Sequence, residues 1–520
     1  KEKLTIDKKQ LYIFIYPWIL IFVSICHDRW SQVNFFLRKF KKKNFLLNEY
    51  DLHPSSFICD GDTSFHLATQ RNDFNYYLFY RIFKFLDRKN IHFKKKKLMF
   101  KETEIYSSKK NLSLINKFFR YIDDLLSKIF FNFNDIYFDI FVYPTSQFFK
   151  LCFKLRIFPV RNVNLFGFNT KNNYNFNLRS DLKYQLEKNS KSKDNFRSFM
   201  RTIIFEYLPS NYLENISILD NKIKKYSKFK KIIIATQSLN FSEKFRFFLA
   251  KTFNRGSKLI YVEHGGGLKS KYFTMLNYLD KYFFKIVVWY KNKKATDKKI
   301  QMSPTINLFK KLQRDNPKKL TFFFTESFRY VAGVQSYPTF DQANDYFDKM
   351  LSMLSSLPIS IKKNILFRNK ANFGMNCSER FVNKFSIKQL DGTKQKIKSE
   401  VFGTFNKTKL AIVSYPQTIY SQIMYLNIPV LLVCDPKQFY LENDSFKLFK
   451  DLEKNKMAFS DYLKAKNHII KNWKNIESWW KNKKIQAIRK KYLNDYFNVQ
   501  DNWEKEWFNF VLKQRKHLLN

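Results

Sequence analysis

Residues 263 to 269 read Glu-His-Gly-Gly-Gly-Leu-Lys. His264 carries a ring nitrogen that can accept or give up a proton near neutral pH. Gly265, Gly266 and Gly267 allow a backbone to approach a ligand closely, and successive N–H groups in such a turn can cradle an anion. Lys269 adds positive charge and Glu263 a carboxylate beside the histidine. The chain holds only 10 glycines in 520 residues, so three in succession mark a turn with special backbone demands. A tight structural turn beside a core histidine would use the same residue types. The position of this turn, directly after an apolar run, favours a phosphorylated ligand.

A second group lies at 414 to 422. Ser414 and Tyr415 end the run "LAIVSY", and Pro416, Gln417 and Thr418 then open the helical stretch "TIYSQIMYLN". The first N–H groups of a helix have no partner inside it and suit a phosphate or carboxylate. An ordinary strand–helix connection would look the same on spacing alone. Arg368 closes the run "NILFR", and arginine fits bidentate phosphate recognition. "DGD" at 60–62 has the form of a metal-binding pair of carboxylates, but it falls in a loop away from any strand end. The seven histidines form no HxxxH pair, so the expectation is a site without metal.

The elements that must position these groups follow from periodicity. Short β-branched runs at 231–236, 258–263 and 285–290 read as buried strands, with helical "SEKFRFFLAKTF" between the first two. A second series has strands at 320–325, 364–369, 410–415 and 429–434 and an amphipathic helix at 340–357. Residues 1–150 are mostly helical in pattern, with a strand at 137–146. The polar stretch 169–196 reads as a loop or insertion. The organisation expected is two α/β domains in series, 1–305 with helical insertions and 320–470, joined by a linker, 306–319, and followed by helices over 471–520.

Composition sets outer bounds. The chain is 45% apolar, so it is globular. Its net charge is +51, which suits an anionic partner, although abundant Lys, Asn, Phe, Ile and Tyr with few Gly and Pro also fit an AT-rich coding sequence. The lysine runs are dispersed and carry no nucleic-acid motif, so nucleic acid is not the expected partner. Cys26, Cys59, Cys152, Cys377 and Cys434 never form CxxC, which argues against a zinc ribbon or disulfide framework and for a reducing cytoplasm. Residues 11–26 form the one candidate membrane segment. It falls short of about 20 residues, and Pro17 interrupts it, so it reads as a buried helix, with a membrane-embedded or interfacial helix as the alternative. The sequence does not begin with Met, and further N-terminal residues are expected.

Taken in order, these stretches resemble a family of transferases from bacterial surface-polysaccharide clusters, marked by a QHGG turn. "YPWILIFVSICHDRWSQV", "SLNFSEKFRF", "EHGGG", "FRYVAGVQS", "LFRNKANFG", "SYPQTIYSQIMYLNIPVLLV" and "IESWWKNKKIQAIRKKY" carry the resemblance along nearly the whole chain. It is also distantly similar to CDP-glycerol glycerophosphotransferases and capsule Kdo transferases. The resemblance implies an α/β, GT-B-like fold: two Rossmann-like domains facing across a cleft, with a helical N-terminal elaboration and a C-terminal helical tail. On that resemblance 1–305 would be the acceptor-side domain, 320–470 the nucleotide-sugar-binding domain, and the helices over 471–520 would return toward the first.

It further implies a cytoplasmic enzyme, peripheral on the inner membrane in one version. That enzyme would move a sugar from a nucleotide-activated donor to a surface-polysaccharide or lipid-linked glycan, without cofactor or metal. The implied catalytic set is His264, Glu243 and Glu263, with Glu243 as a base or as the group that orients His264. The implied donor and phosphate contacts are Gly265, Gly266, Gly267, Lys269, Arg368, Ser414, Gln417, Thr418 and Gln422. Departures from the family pattern are Glu263 for its Gln, Pro416 to Ile419 for its Asn-Ser-Thr-Thr, and Gln422 for a Glu that commonly holds the donor ribose. They leave open a catalytically degenerate scaffold of the same fold, and the HG turn followed by lysine leaves open a CDP-polyol phosphotransferase.

Overall fold

The computed structural model describes residues 7–516 except 42, 51–56, 58, 88, 97–113, 140–144, 161–165, 167, 169, 171–172, 190–193, 225, 227–229, 237, 270–281, 292–297, 305–311, 313, 315, 326–328, 331–339, 369–376 and 392–400. The fold is α/β. Its strands are β1 (Phe45–Tyr50), β2 (Ile91–Lys96), β3 (Ile136–Phe138), β4 (Ile232–Ala235), β5 (Lys258–Val262), β6 (Lys285–Val288) and β7 (Lys299–Gln301). The second series is β8 (Lys319–Phe323), β9 (Ile365–Arg368), β10 (Leu390–Asp391), β11 (Thr408–Val413), β12 (Val430–Val433) and β13 (Ala458–Phe459). One sheet runs β3-β4-β5-β6-β7, another β10-β9-β8-β11-β12-β13, and β1 pairs with β2 alone.

Every described pairing is parallel. The apolar runs foretell this for the two larger sheets, whereas β1 and β2, half polar in sequence, do not read as strands. Parallel sheets need both faces covered, and β4 and β12 are buried at all four positions. The chain forms two compact units, one of residues 1–140, 157–259 and 330–334, the other of 141–156, 260–329 and 335–520.

In the first unit the helix Lys8–Lys39 runs 32 residues, straight through Pro17. The interruption expected at Pro17 does not occur. A helix-interior proline costs about 3 kcal/mol. Ile13, Phe14, Trp18, Phe22 and Ile25 are each no more than 1% exposed, and burying each such side chain contributes about 1.5–3 kcal/mol. The stripe therefore outweighs the proline. It packs against Glu243–Phe253, Asn72–Leu86 and Asn195–Tyr207. Among the described residues this is the one helix long and apolar enough to cross a membrane by length and composition.

Two further expectations are corrected. The stretch 169–196 holds the helix Phe176–Lys188, capped by Asn175, and Asp194 caps the helix Asn195–Tyr207. The polar helix has little apolar surface to announce it. It is anchored by Arg179, 3% exposed, which pairs with Glu214 and donates to the carbonyls of Phe205 and Leu208. The strand read at 137–146 is β3 alone at its start, and Thr145 and Ser146 already belong to the helix Thr145–Lys154. Residues 140–144 of that stretch lie outside the described residues, as does most of the 306–319 linker.

Candidate active site

The turn after β5 is built by close packing within the second unit. Glu263 continues the strand by donating its N–H to the Val287 carbonyl at 2.9 Å, and its carboxylate accepts the Trp289 N–H at 3.2 Å. Burial pushes the Glu263 carboxyl up to about 7, against the downward pull of that N–H and of Lys269. His264 stands exposed at the strand end.

The three glycines then pass between two walls. A Cβ on Gly265 would lie 3.1 Å from Thr418 Oγ1, and one on Gly266 would enter the Trp289 ring. A Cβ on Gly267, whose φ is +155°, would land on the Pro416 carbonyl and 2.7 Å from Gln417 Cα. The Gly266 N–H donates to Thr418 Oγ1 at 3.2 Å, and the Leu268 N–H to the Pro416 carbonyl at 3.0 Å. Packing of one turn on the other is thus the physical demand behind the glycines.

Lys269 closes the turn. Its N–H donates to Ser445 Oγ at 2.7 Å, and its carbonyl accepts the Glu442 N–H at 2.8 Å. Its ammonium lies 3.0 Å from the centroid of the Tyr290 ring. Burial lowers its pKa to about 8, while Glu442 and Glu263 act in the opposite sense.

The second turn leads into the helix Thr418–Tyr425. Gln417 is its N-cap residue and makes no side-chain capping bond. The helix start therefore opens, without a side-chain cap from Gln417, beside Thr418 and the glycine turn. Its far end is gripped by the C-terminal tail. Arg489 donates to the carbonyls of Met424 at 2.7 Å and Tyr425 at 3.2 Å, and to Gln486 Oε1 at 3.1 Å. Trp480 Nε1 reaches Asn427 Oδ1 at 2.9 Å, and Tyr492 bonds the Ser421 hydroxyl at 2.7 Å. A cation at the helix C-terminus satisfies its last carbonyls and matches its dipole. The Trp-Trp…Gln…Arg pattern is therefore a clamp on the far end of the helix that Thr418 begins.

The structure brings Glu263, His264, Gly265–Gly267, Lys269, Gln417 and Thr418 together. Ser414 is fully buried, its hydroxyl shared with Tyr346 and the Phe323 carbonyl. Arg368 ends β9 and donates to Thr404 Oγ1 at 2.7 Å. Its strand lies two places from β11, at the same C-terminal edge, about 10 Å across the sheet. Gln422 lies one turn inside the helix Thr418–Tyr425.

Glu243 belongs to the first unit, where it begins the helix Glu243–Phe253. One carboxylate oxygen accepts Asn211 Nδ2 at 2.8 Å and the other the Asp62 N–H at 3.1 Å. Burial raises its pKa, and Asp62 adds to the rise. Asp62 in turn accepts the Tyr212 hydroxyl at 2.6 Å and pairs with Arg246. Arg246 is fully buried and also donates to the carbonyls of Phe14 and Leu239. Asp60-Gly61-Asp62 is thus half of a buried interlock with Glu243 and Arg246. Among the described residues no three His, Cys, Asp or Glu side chains are grouped to hold a metal.

Sequence reasoning missed Trp289, Ser445 and Glu442. The only signal was the bulky Trp-Tyr pair closing "KIVVWY". It also missed Asp139 at the end of β3, whose carboxylate accepts the N–H groups of Thr236 and Ser238 at 3.2 Å each. Two other quoted stretches meet in the first unit. Arg29, 0% exposed, donates to Asn75 Oδ1 and Asp28, and its guanidinium lies 5.5 Å from the Tyr330 ring centroid.

Residues 12–511 match the family described as LIC12162 family transferase. The chain belongs to that family. Its members are transferases, so group transfer is the general chemistry of this family member. Among solved structures, the crystal structure of Acinetobacter baumannii MurG is similar at a TM-score of 0.35 and 10% identity, over 58% of this chain and 78% of that one. No curated protein matches.

Proposed function

We propose that this transferase moves a sugar from a nucleotide-activated donor to a surface-polysaccharide or lipid-linked glycan acceptor, on a GT-B-like scaffold. The supporting observation is an exposed His264 on a glycine turn packed against the start of the helix Thr418–Tyr425, which Gln417 does not cap. On this reading the helix N–H groups, the Thr418 hydroxyl, Lys269 and Arg368 meet the donor phosphates. His264 takes the proton from the acceptor hydroxyl. That oxygen forms a bond to the anomeric carbon as the bond to phosphate breaks, and the nucleoside diphosphate leaves with the electron pair. Glu243, with both oxygens engaged, holds the 60–62 loop rather than a reacting proton. Ser414 supports the sheet edge. No metal or cofactor is assigned to the reaction, and a cytoplasmic enzyme with peripheral contact to the inner leaflet would meet such donors and acceptors.

The test is a thermal-shift screen against UDP, GDP, CDP, CMP and dTDP. One nucleotide should raise the midpoint in a concentration-dependent way. Arg368→Ala should remove the shift, and His264→Ala should abolish transfer without lowering the midpoint. Near-normal turnover by His264→Ala would end the role given to it. The use of the Gly266 N–H by Thr418 favours a second reading, a degenerate scaffold, for which no nucleotide would shift the folded protein. Release of CMP with a phosphodiester product would instead assign polyol-phosphate transfer.

A further inference from the structure

The first unit contains a cavity of about 1000 Å³ that the donor chemistry does not use. It lies at the C-terminal ends of the parallel pair β1 and β2, where Tyr50 faces Lys96 and Glu49 faces Lys95 in register. The helix Asn72–Leu86 supplies Tyr77, Tyr80, Arg81 and Lys84, and the helix Phe176–Lys188 supplies Lys183. Its volume is at the top of the ~300–1,000 Å³ range of small-ligand sites, room for several sugar rings.

Two of its cations are fixed in place. Arg81 pairs with Glu206 and donates to the Tyr77 hydroxyl at 3.2 Å. Lys84 donates to the Tyr80 hydroxyl at 2.8 Å and to Glu49 at 3.3 Å, and the Tyr80 hydroxyl donates to Glu49. Lys84 is held above the usual lysine range by Tyr80 and Glu49. Burial raises Tyr77 and Tyr80, so both remain neutral hydroxyls. The other three cations, Lys95, Lys96 and Lys183, have no hydrogen-bond or ion-pair partner among the described residues. Of the five lining cations, Arg81 is thus balanced by Glu206 and Lys84 by Glu49, which leaves three lysines in excess.

The overall charge of the chain explains exposed lysines anywhere. It does not explain their gathering around a concave wall of tyrosines. Tyr77 stacks on Phe57 at 5.3 Å, and Tyr80 meets Phe93 edge-on at 5.4 Å, so both rings are braced. Fixed ring faces suit the C–H faces of sugars, their hydroxyls and Glu49 suit sugar hydroxyls, and the ammonium groups in excess suit acidic substituents.

We propose that this cavity binds an anionic oligosaccharide, the acidic part of the acceptor glycan. The proposal rests on the glycosyl-transfer reading for the acceptor's class, but binding can be measured without turnover. The probe is trigalacturonic acid, titrated calorimetrically into the full chain at about 150 mM salt to screen loose surface charge. Maltotriose and inorganic phosphate are the comparisons. Saturable binding of trigalacturonic acid alone is expected. It should weaken at least about tenfold, about 1.4 kcal/mol, in the triple variant Lys95→Gln, Lys96→Gln, Lys183→Gln, which removes the charge-assisted contacts to the carboxylates.

Removing three exposed lysines elsewhere, by Lys447→Gln, Lys464→Gln and Lys484→Gln, should leave binding unchanged. Equal loss in the two triple variants would overturn the proposal, because net charge would then be the cause. Equal binding of phosphate, or no binding of trigalacturonic acid, would overturn it as well. The nucleotide-induced midpoint shift separates the two readings. If it persists while the saccharide fails to bind, this proposal alone is refuted.

Discussion

Replacing Gly267 with alanine tests the packing of the 263–269 turn directly. Its φ of +155° lies where side chains are strained, at about 1–3 kcal/mol. The new Cβ would also meet the Pro416 carbonyl and lie 2.7 Å from Gln417 Cα. Both are backbone atoms that cannot rotate away, and overpacking of this kind costs about 1–3 kcal/mol. The expected loss is therefore about 2–6 kcal/mol. For a domain-sized unit each kcal/mol moves the melting midpoint by about 2–4 °C, so a fall of at least about 4 °C is expected.

Two other glycines calibrate the scale. Gly256, at φ +91°, has nothing within 4 Å of a Cβ, so Gly256→Ala should show only the backbone part. Gly403 lies in the helix Val401–Lys407 with open space around it, and Gly403→Ala should stabilise by about 0.5–1 kcal/mol. The assay is differential scanning calorimetry of the three variants beside the parent chain. If Gly267→Ala melts no lower than Gly256→Ala, the two turns do not abut as described, and the reasoning about the glycines fails.

Arg489→Ala removes the clamp on the Met424 and Tyr425 carbonyls. It should destabilise by about 1.5–3 kcal/mol and weaken nucleotide binding, read as a lower midpoint and a raised Kd. Glu263 has a folded pKa of about 7 against an ordinary 4.5. Its contribution to stability is therefore full below about 4.5 and lost as pH rises through about 7. Glu263→Gln should flatten the fall in midpoint between those values, measured by scanning fluorimetry across pH. Asp62→Asn weakens the pairing with buried Arg246 and should lower the midpoint markedly, since breaking a buried ion pair costs about 3–5 kcal/mol. A midpoint within 1 °C, roughly, of the parent would contradict the interlock.

The sequence by itself marked most strands of the two larger sheets. Short apolar runs bounded by polar residues read as buried parallel strands, and β4, β5, β6, β8, β9, β11 and β12 lie within the runs read for them or within two residues of their ends. It also marked the two turns, because glycine triplets and a strand-to-helix switch are local signals. What it left unread depends on contacts between distant residues, which no local periodicity encodes. Gly266 meets Thr418 across 152 positions, and Asp62 meets Glu243 across 181. The helix Phe176–Lys188 hid in a polar stretch because a single buried arginine, rather than an apolar stripe, fastens it. Glu243 reads as a candidate base or orienting group because a carboxylate's type is visible in sequence while its burial and partners are not. Only the tertiary structure decides those, because Asn211 and Asp62, which engage its two oxygens, lie far from it in sequence.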